Sequence, residues 1–164
     1  MNINFKCDLA ISCRTIGKIN AMIGDLPEAL RFYRLDTKLS ESLYAAHPTN
    51  IKFKISLAIA HEKMGETHTS LGDLGEALRY YTLDTELSES LYAAYPTNVD
   101  FKNGLAIAYY KMGSINQQVD NTGATRKYWI KARKLWQELT DQFPDYAEFK
   151  RNLGIIERML SELE

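Results

Sequence analysis

The segment GDLPEAL, Gly24 to Leu30, returns 48 residues later as GDLGEAL, Gly72 to Leu78. Extended through Asn50 and Asn98, the two stretches differ at five of 27 positions. The same offset aligns Phe5, Phe53, Phe101 and Phe149, then Leu9, Leu57, Leu105 and Leu153. It also aligns Gly17, Gly65 and Gly113, and Pro48, Pro96 and Pro144. A fixed period in the range of about 20 to 50 residues marks a solenoid, whose units bury their apolar faces only by stacking on one another. The chain therefore reads as one domain over 1–164, with repeats at approximately 2–49, 50–97 and 98–145 and a capping helix at 147–164.

Each copy is punctuated as two helices. Asp73 stands at a helix start with Glu76 three residues on, as Asp25 does with Glu28, and Pro27 falls in a first turn that tolerates it. The second helix then carries Leu78, Tyr81, Leu87 and Leu91 at intervals of three or four. Pro96 forbids continuation, and Thr97 or Asn98 caps the next first helix, which carries Phe101, Leu105 and Tyr109 toward Gly113. Helices of about 20 residues, roughly 30 Å long, are expected throughout. The third copy departs from the pattern, with Asp120 in place of Gly, Thr125 in place of Ala and Trp129 in place of Tyr. Its NQQVDNTGA loop is expected to pack less tightly. The half copy offers Glu148, Lys150, Arg151, Glu157, Arg158 and Glu162 for a polar outer side. No comparable cap precedes Phe5, so Ile3, Phe5 and Cys7 open the array directly; either the chain is an excerpt from a longer array or that end meets a partner, weak self-association being the expectation in the second case.

The spacing Gly65, Gly72, Ala77, Tyr81, matched by Gly17, Gly24, Ala29 and Tyr33, resembles the tetratricopeptide repeat in a long form stretched to 48 residues. The resemblance implies an all-α, right-handed superhelix of antiparallel helix pairs that binds a peptide or protein segment in its concave groove. Similar long arrays accompany bacterial signalling proteins. The resemblance also places the groove on the first helices, and these are where the copies diverge, as ISCRTIGKINAMI against IAHEKMGETHTSL shows. Three pairs follow at the 48-residue offset: Arg14 with Lys18, Glu62 with Glu66, and Tyr110 with Ser114. The groove is expected to run basic, acidic, aromatic. Arg14 and Glu62 would either face one another across the repeat boundary, as would Lys18 and Glu66, or stay available to a ligand. Chaperone-binding members of the family clamp a carboxylate through positions that correspond here to Arg14, Lys18, Lys63, Ile107 and Lys111. Both asparagines of that clamp and one of its cations are replaced, so a general preference for acidic peptides through Arg14, Lys18, Lys63 and Lys111 is the remaining implication.

Composition narrows the function classes. A formal net charge of −1 over 164 residues supplies no long-range field to draw in nucleic acid or an anionic membrane. Cys7 and Cys13, six apart on a helix, point in different directions and suggest a reducing compartment. The N-terminus has neither a basic region followed by an apolar run nor a membrane-length apolar stretch, so a cytoplasmic location is expected. GDLG at Gly72 lacks the strand and lysine of a phosphate loop. His61 and His68 could in principle share a metal with Glu62 or Glu66, but they occupy packing positions and read as core, as does Cys13. RKYWIKARK, Arg126 to Lys134, mixes basic and aromatic residues, yet Trp129, Leu135, Trp136 and Leu139 fit one buried helical face and leave Lys127, Lys131 and Lys134 outside. No nucleophile, base and orienting group converge. The expected function is a binding scaffold without catalysis, cofactor or metal; a structural self-association module and a sensor of a signalling peptide or small ligand are the alternatives.

Overall fold

The structure, a computed structural model, describes residues 2–163. Among these residues it contains seven α-helices and no strand: α1 (Ile3–Met22), α2 (Leu26–Ala46), α3 (Ile51–Ser70), α4 (Leu74–Ala94), α5 (Val99–Gln118), α6 (Thr122–Gln142) and α7 (Ala147–Ser161). The capping chemistry repeats with the sequence. Asn50 and Asn98 accept hydrogen bonds from the amides of Phe53 and Phe101, and Asn2 does the same for Asn4. Asp25, Asp73 and Asn121 accept from the amides of Glu28, Glu76 and Ala124 at 3.1, 3.2 and 3.1 Å. Each satisfies a donor that a helix start leaves unpaired. Glu28 and Glu76 turn away from their caps to Arg31 and Arg79.

The turn from first to second helix needs one residue in the left-handed region. Gly24 and Gly72 adopt φ of 85° and 77°, and Asp120 takes φ 58° at the same place. Asp is among the few side chains that tolerate this conformation. The third turn, expected from its sequence to be looser, is not. Asn121 N bonds to Asn116 O at 2.8 Å, as Asp25 N bonds to Asn20 O at 2.9 Å and Asp73 N to His68 O at 2.9 Å.

The chain forms two compact units, residues 1–87 and 88–164. In the first, α1 packs on α2 and α2 on α3, with Ala29, Tyr33 and Met64 at the centre. In the second, α5 packs on α6 and α6 on α7 around Trp129, Trp136, Leu139, Phe149 and Ile156. A Cβ on Gly17 or Gly65 would stand 2.7 or 2.6 Å from the ring of Tyr33 or Tyr81, and one on Gly113 would overlap the Trp129 indole. The glycine in each first helix thus lets an aromatic 16 residues on lie flat against bare backbone. Trp129 keeps its indole N–H satisfied by donating to the Tyr110 carbonyl at 3.2 Å. The α7 core face is buried through Phe149, Leu153, Ile156 and Leu160, while Glu148, Lys150, Arg151, Glu157, Arg158 and Glu162 are all exposed, as expected of a cap.

The repeat also shows what α1 lacks. Met64 of α3 is 1 % exposed beneath Ala29 and Tyr33 of α2, whereas its counterpart Ile16 is 39 % exposed. Leu57 is 6 % exposed and Leu9 37 %. With Phe5, Ile19 and Ile23, these residues leave α1 with an uncovered apolar stripe.

Candidate functional site

The seven residues expected to line a groove fall in both units. Arg14, Lys18, Glu62, Lys63 and Glu66 belong to the first, and Tyr110 and Lys111 to the second. Arg14 requires a correction. Its guanidinium does not face Glu62 or the solvent; it turns inward to Asp36 of α2, with Nε to Oδ2 at 2.8 Å and Nη2 to Oδ1 at 3.0 Å. The same nitrogen donates to the Ser56 carbonyl at 3.1 Å and to Ser56 Oγ at 2.8 Å, tying α1, α2 and α3 together. Asp36 is fully buried, and Ser40 Oγ donates to its Oδ1 at 3.2 Å. Burial pushes the Asp36 carboxyl above its usual range, while Arg14 and Ser40 pull it down. Arg14 is a half-buried structural cation whose guanidinium is committed to Asp36 and Ser56.

The second expected pair is not formed either. Lys18 is exposed and makes no ion pair among the described residues, while Glu66 Oε2 receives Lys63 Nζ at 2.7 Å, one helical turn away. Glu62 and Lys111 are half-buried and each engaged within the protein. Tyr110 is half-buried, its ring 6.0 Å from Trp136, and Ile107 packs against the second unit's core. With Arg14, Lys63 and Lys111 engaged internally, the implied preference for acidic peptides loses three of its four cations and retains Lys18.

A cavity of about 440 Å³ in the first unit brings Glu66 together with residues that the sequence did not single out as a site: Tyr33, Thr69, Ser70 and Tyr81. The available signal was the run of hydroxyl residues THTS ending α3, where each side chain can reach back one turn. Thr67, Thr69 and Ser70 do so, donating to the carbonyls of Lys63, Gly65 and Glu66 at 2.8, 2.8 and 3.0 Å.

His61 and His68 are buried core residues, as expected, flanking the Tyr80 ring at centroid distances of 5.9 and 5.6 Å. Neither Nδ1 has a hydrogen-bond partner, although Asp73 Oδ2 lies 3.2 Å from that of His68. Burial, aided by the positive charge of Arg79, lowers the His61 pKa from 6.5 to about 4. Between these values the unfolded chain binds a proton that the folded one refuses, so this contribution to stability is full above pH 6.5 and is lost as pH falls toward 4. The loss amounts to at most about 3 kcal/mol at about 1.4 kcal/mol per unit. On acidification from pH 7 to 4 the thermal midpoint of the parent should fall more steeply than that of His61→Tyr, which carries the residue found at equivalent position 109. Parallel curves from pH 7 to 4 would contradict this role for His61. Cys13 is likewise buried, and burial raises its thiol pKa above the ordinary value.

In RKYWIKARK, Trp129, Leu135, Trp136 and Leu139 are buried. Lys131 lies 4.6 Å above the Tyr109 ring and 3.7 Å from Glu89, whose carboxylate accepts from the Tyr109 hydroxyl at 2.6 Å. The tryptophan presents no face on which a base could stack. No helix among the described residues is long and apolar enough to cross a membrane.

Consecutive helix pairs with common caps, common turns and a glycine-on-aromatic contact in each decide the architecture. The chain is a helical repeat protein. No protein-family model and no curated protein matches this helical repeat protein. Among solved structures it is similar to a de novo designed helical repeat protein, at 12 % identity over 98 % of this chain and 80 % of that one, with a TM-score of 0.41.

Proposed function

We propose that this helical repeat protein is a tetratricopeptide-like scaffold that binds a peptide or protein segment on its first helices and performs no chemistry. The observation that carries the reading is where the copies agree and where they differ. Shared positions are the caps, the left-handed turns and the glycine-aromatic contacts, all of which hold the fold. Individual positions include Lys18, Glu62, Glu66 and Tyr110, all exposed or half-buried on first helices, beside Lys63 and Lys111, which hold one equivalent position in the second and third copies. Glu62 and Glu66 are also engaged within the protein, but the packing shared by the copies dictates none of the four individual identities, whereas a specific ligand does. The immobilised chain should retain a defined set of proteins identifiable by mass spectrometry. That set should be lost with Lys18→Glu/Glu66→Lys/Tyr110→Ala and kept with Arg34→Glu/Lys38→Glu/Glu86→Lys on exposed second-helix positions. Loss with the second set and retention with the first would overturn the reading. A cytoplasmic setting and the absence of a nucleic-acid partner belong to the same proposal.

The apolar stripe on α1 favours a second, compatible reading, in which two copies of the chain associate through this face. Phe5 and Ile19 are 57 % and 55 % exposed, and single-chain proteins rarely leave such a row uncovered. Sedimentation should show a concentration-dependent dimer that Phe5→Glu/Ile16→Glu abolishes. A monomer at all concentrations would contradict self-association.

A further inference from the structure

Along α1 the exposed residues Phe5, Leu9, Ser12, Ile16, Ile19 and Ile23 follow one another at spacings of four, three, four, three and four. This is the seam by which one α-helix packs along another. It carries no charge, and Ser12 has spent its hydroxyl proton on the Asp8 carbonyl at 2.8 Å, so burying the seam strands no donor. Packing within the copy leaves it free. The residues that α1 buries are Ala10, Cys13 and Gly17 on the neighbouring strip, the last of them against the Tyr33 ring of α2. The second copy shows that such a face carries a helix. Leu57, Ala60, Met64 and Thr67 of α3 stand where α1 has Leu9, Ser12, Ile16 and Ile19, and all four are buried, Met64 beneath Ala29 and Tyr33 of α2.

The symmetry of the α1 seam selects its occupant. Read outward from its middle, at the level of Arg14, it pairs Ser12 with Ile16, Leu9 with Ile19 and Phe5 with Ile23. A second α1 running antiparallel about a two-fold axis at that level therefore meets every position with its complement. The small Ser12 lies opposite the large Ile16 of the other copy, twice, and the outer layers are apolar on both sides. A parallel copy would set Ser12 against Ser12 and leave a gap at the centre. The flanking charges agree with the antiparallel arrangement, since Lys6 and Asp8 come to the level of Asn20 and Met22, which are neutral.

We propose that α1 pairs with the α1 of a second copy, antiparallel and in this register. This rests on the self-association reading above and adds the orientation and the facing residues. The two-fold axis also keeps Ile11, Thr15 and Lys18, exposed on the flank away from the Gly17 strip, on one side of the pair. The ligand-facing sides of the two α1 helices thereby join into one surface.

The test is sedimentation of the full chain, followed by nuclear Overhauser measurements at concentrations where the dimer dominates. Phe5 and Ile23 stand roughly 27 Å apart along one helix, and Leu9 and Ile19 roughly 15 Å, at 1.5 Å per residue. Contacts of the Phe5 ring with the Ile23 methyls, and of Leu9 with Ile19 methyls, can therefore arise only between copies. Both are expected, and both should vanish in Phe5→Glu/Ile16→Glu. Leu9→Glu and Ile19→Lys, at positions exposed in the single chain, should each weaken association at least tenfold. An equimolar mixture of these two variants should recover it, because the new carboxylate meets the new ammonium in one layer while the parent pair survives in the other. A dimer lacking both contacts, or a mixture that stays dissociated while the parent associates, would overturn the antiparallel register and leave self-association in place. A parent chain that is monomeric at every concentration would remove both.

Discussion

Replacing Arg14 with methionine is expected to destabilise the chain by about 3–5 kcal/mol, because it strands the Asp36 carboxylate in a fully buried site. The expected recovery is equally informative. In Arg14→Met/Asp36→Leu both charges are gone, and the stability should return to within about 1 kcal/mol of the parent or exceed it. The direction of the Asp36 shift supports this. A carboxyl held above its usual range costs the native state stability as pH rises past the unfolded value, so even with Arg14 in place the ionised, buried form is a burden at neutral pH. Denaturant titration of the three proteins measures both quantities. A small loss in the single variant, or no recovery in the double, would mean that Arg14 matters by bridging to Ser56 rather than by neutralising Asp36.

Gly113→Ala is expected to cost about 3 kcal/mol or more, against a helix-propensity gain of about 1 kcal/mol. The added Cβ would occupy the space of the Trp129 indole, which is 0 % exposed and anchored by its bond to the Tyr110 carbonyl. Neither partner can shift without opening the core of the second unit. Gly154 provides the contrast within the same unit. Nothing lies within 4 Å of a Cβ there, and Ala10, Ala58 and Ala106 occupy the equivalent places. Gly154→Ala should therefore stabilise by about 0.5–1 kcal/mol. Thermal unfolding of the two variants should move in opposite directions, and a stabilised Gly113→Ala would refute the close-approach account of the repeated glycine.

Much of the architecture was legible because it is local and periodic. The caps at Asp25 and Asp73, the helix stop before Pro96 and the glycine-aromatic spacing all depend on residues within one copy, and the 48-residue offset supplied each with a replicate. Asp120 misled because glycine is the usual left-handed residue, although a short acidic side chain serves at the same φ. Arg14 misled for a deeper reason. The offset implies that equivalent residues of adjacent copies are neighbours, but a long side chain on α1 can instead reach past its own register to α2. The clue was in α2: Asp36 stands three residues after buried Tyr33 and four before buried Ser40, on the core face, and recurs as Asp84. A charge on an apolar face demands a partner of opposite sign, and Arg14 is that partner. The cavity beside Glu66 was not legible, since it forms only where α1, α2, α3 and α4 meet.

Hydrogen exchange of the chain with and without a protein retained on it tests most directly the claim that shared positions hold the fold and individual ones bind. The account predicts slowed exchange along α1, α3 and α5, strongest around Lys18, the last turn of α3 and Tyr110, with the second helices α2 and α6 little changed. Protection confined to α2, α4 and α6, with the first helices exchanging as in the free chain, would contradict it.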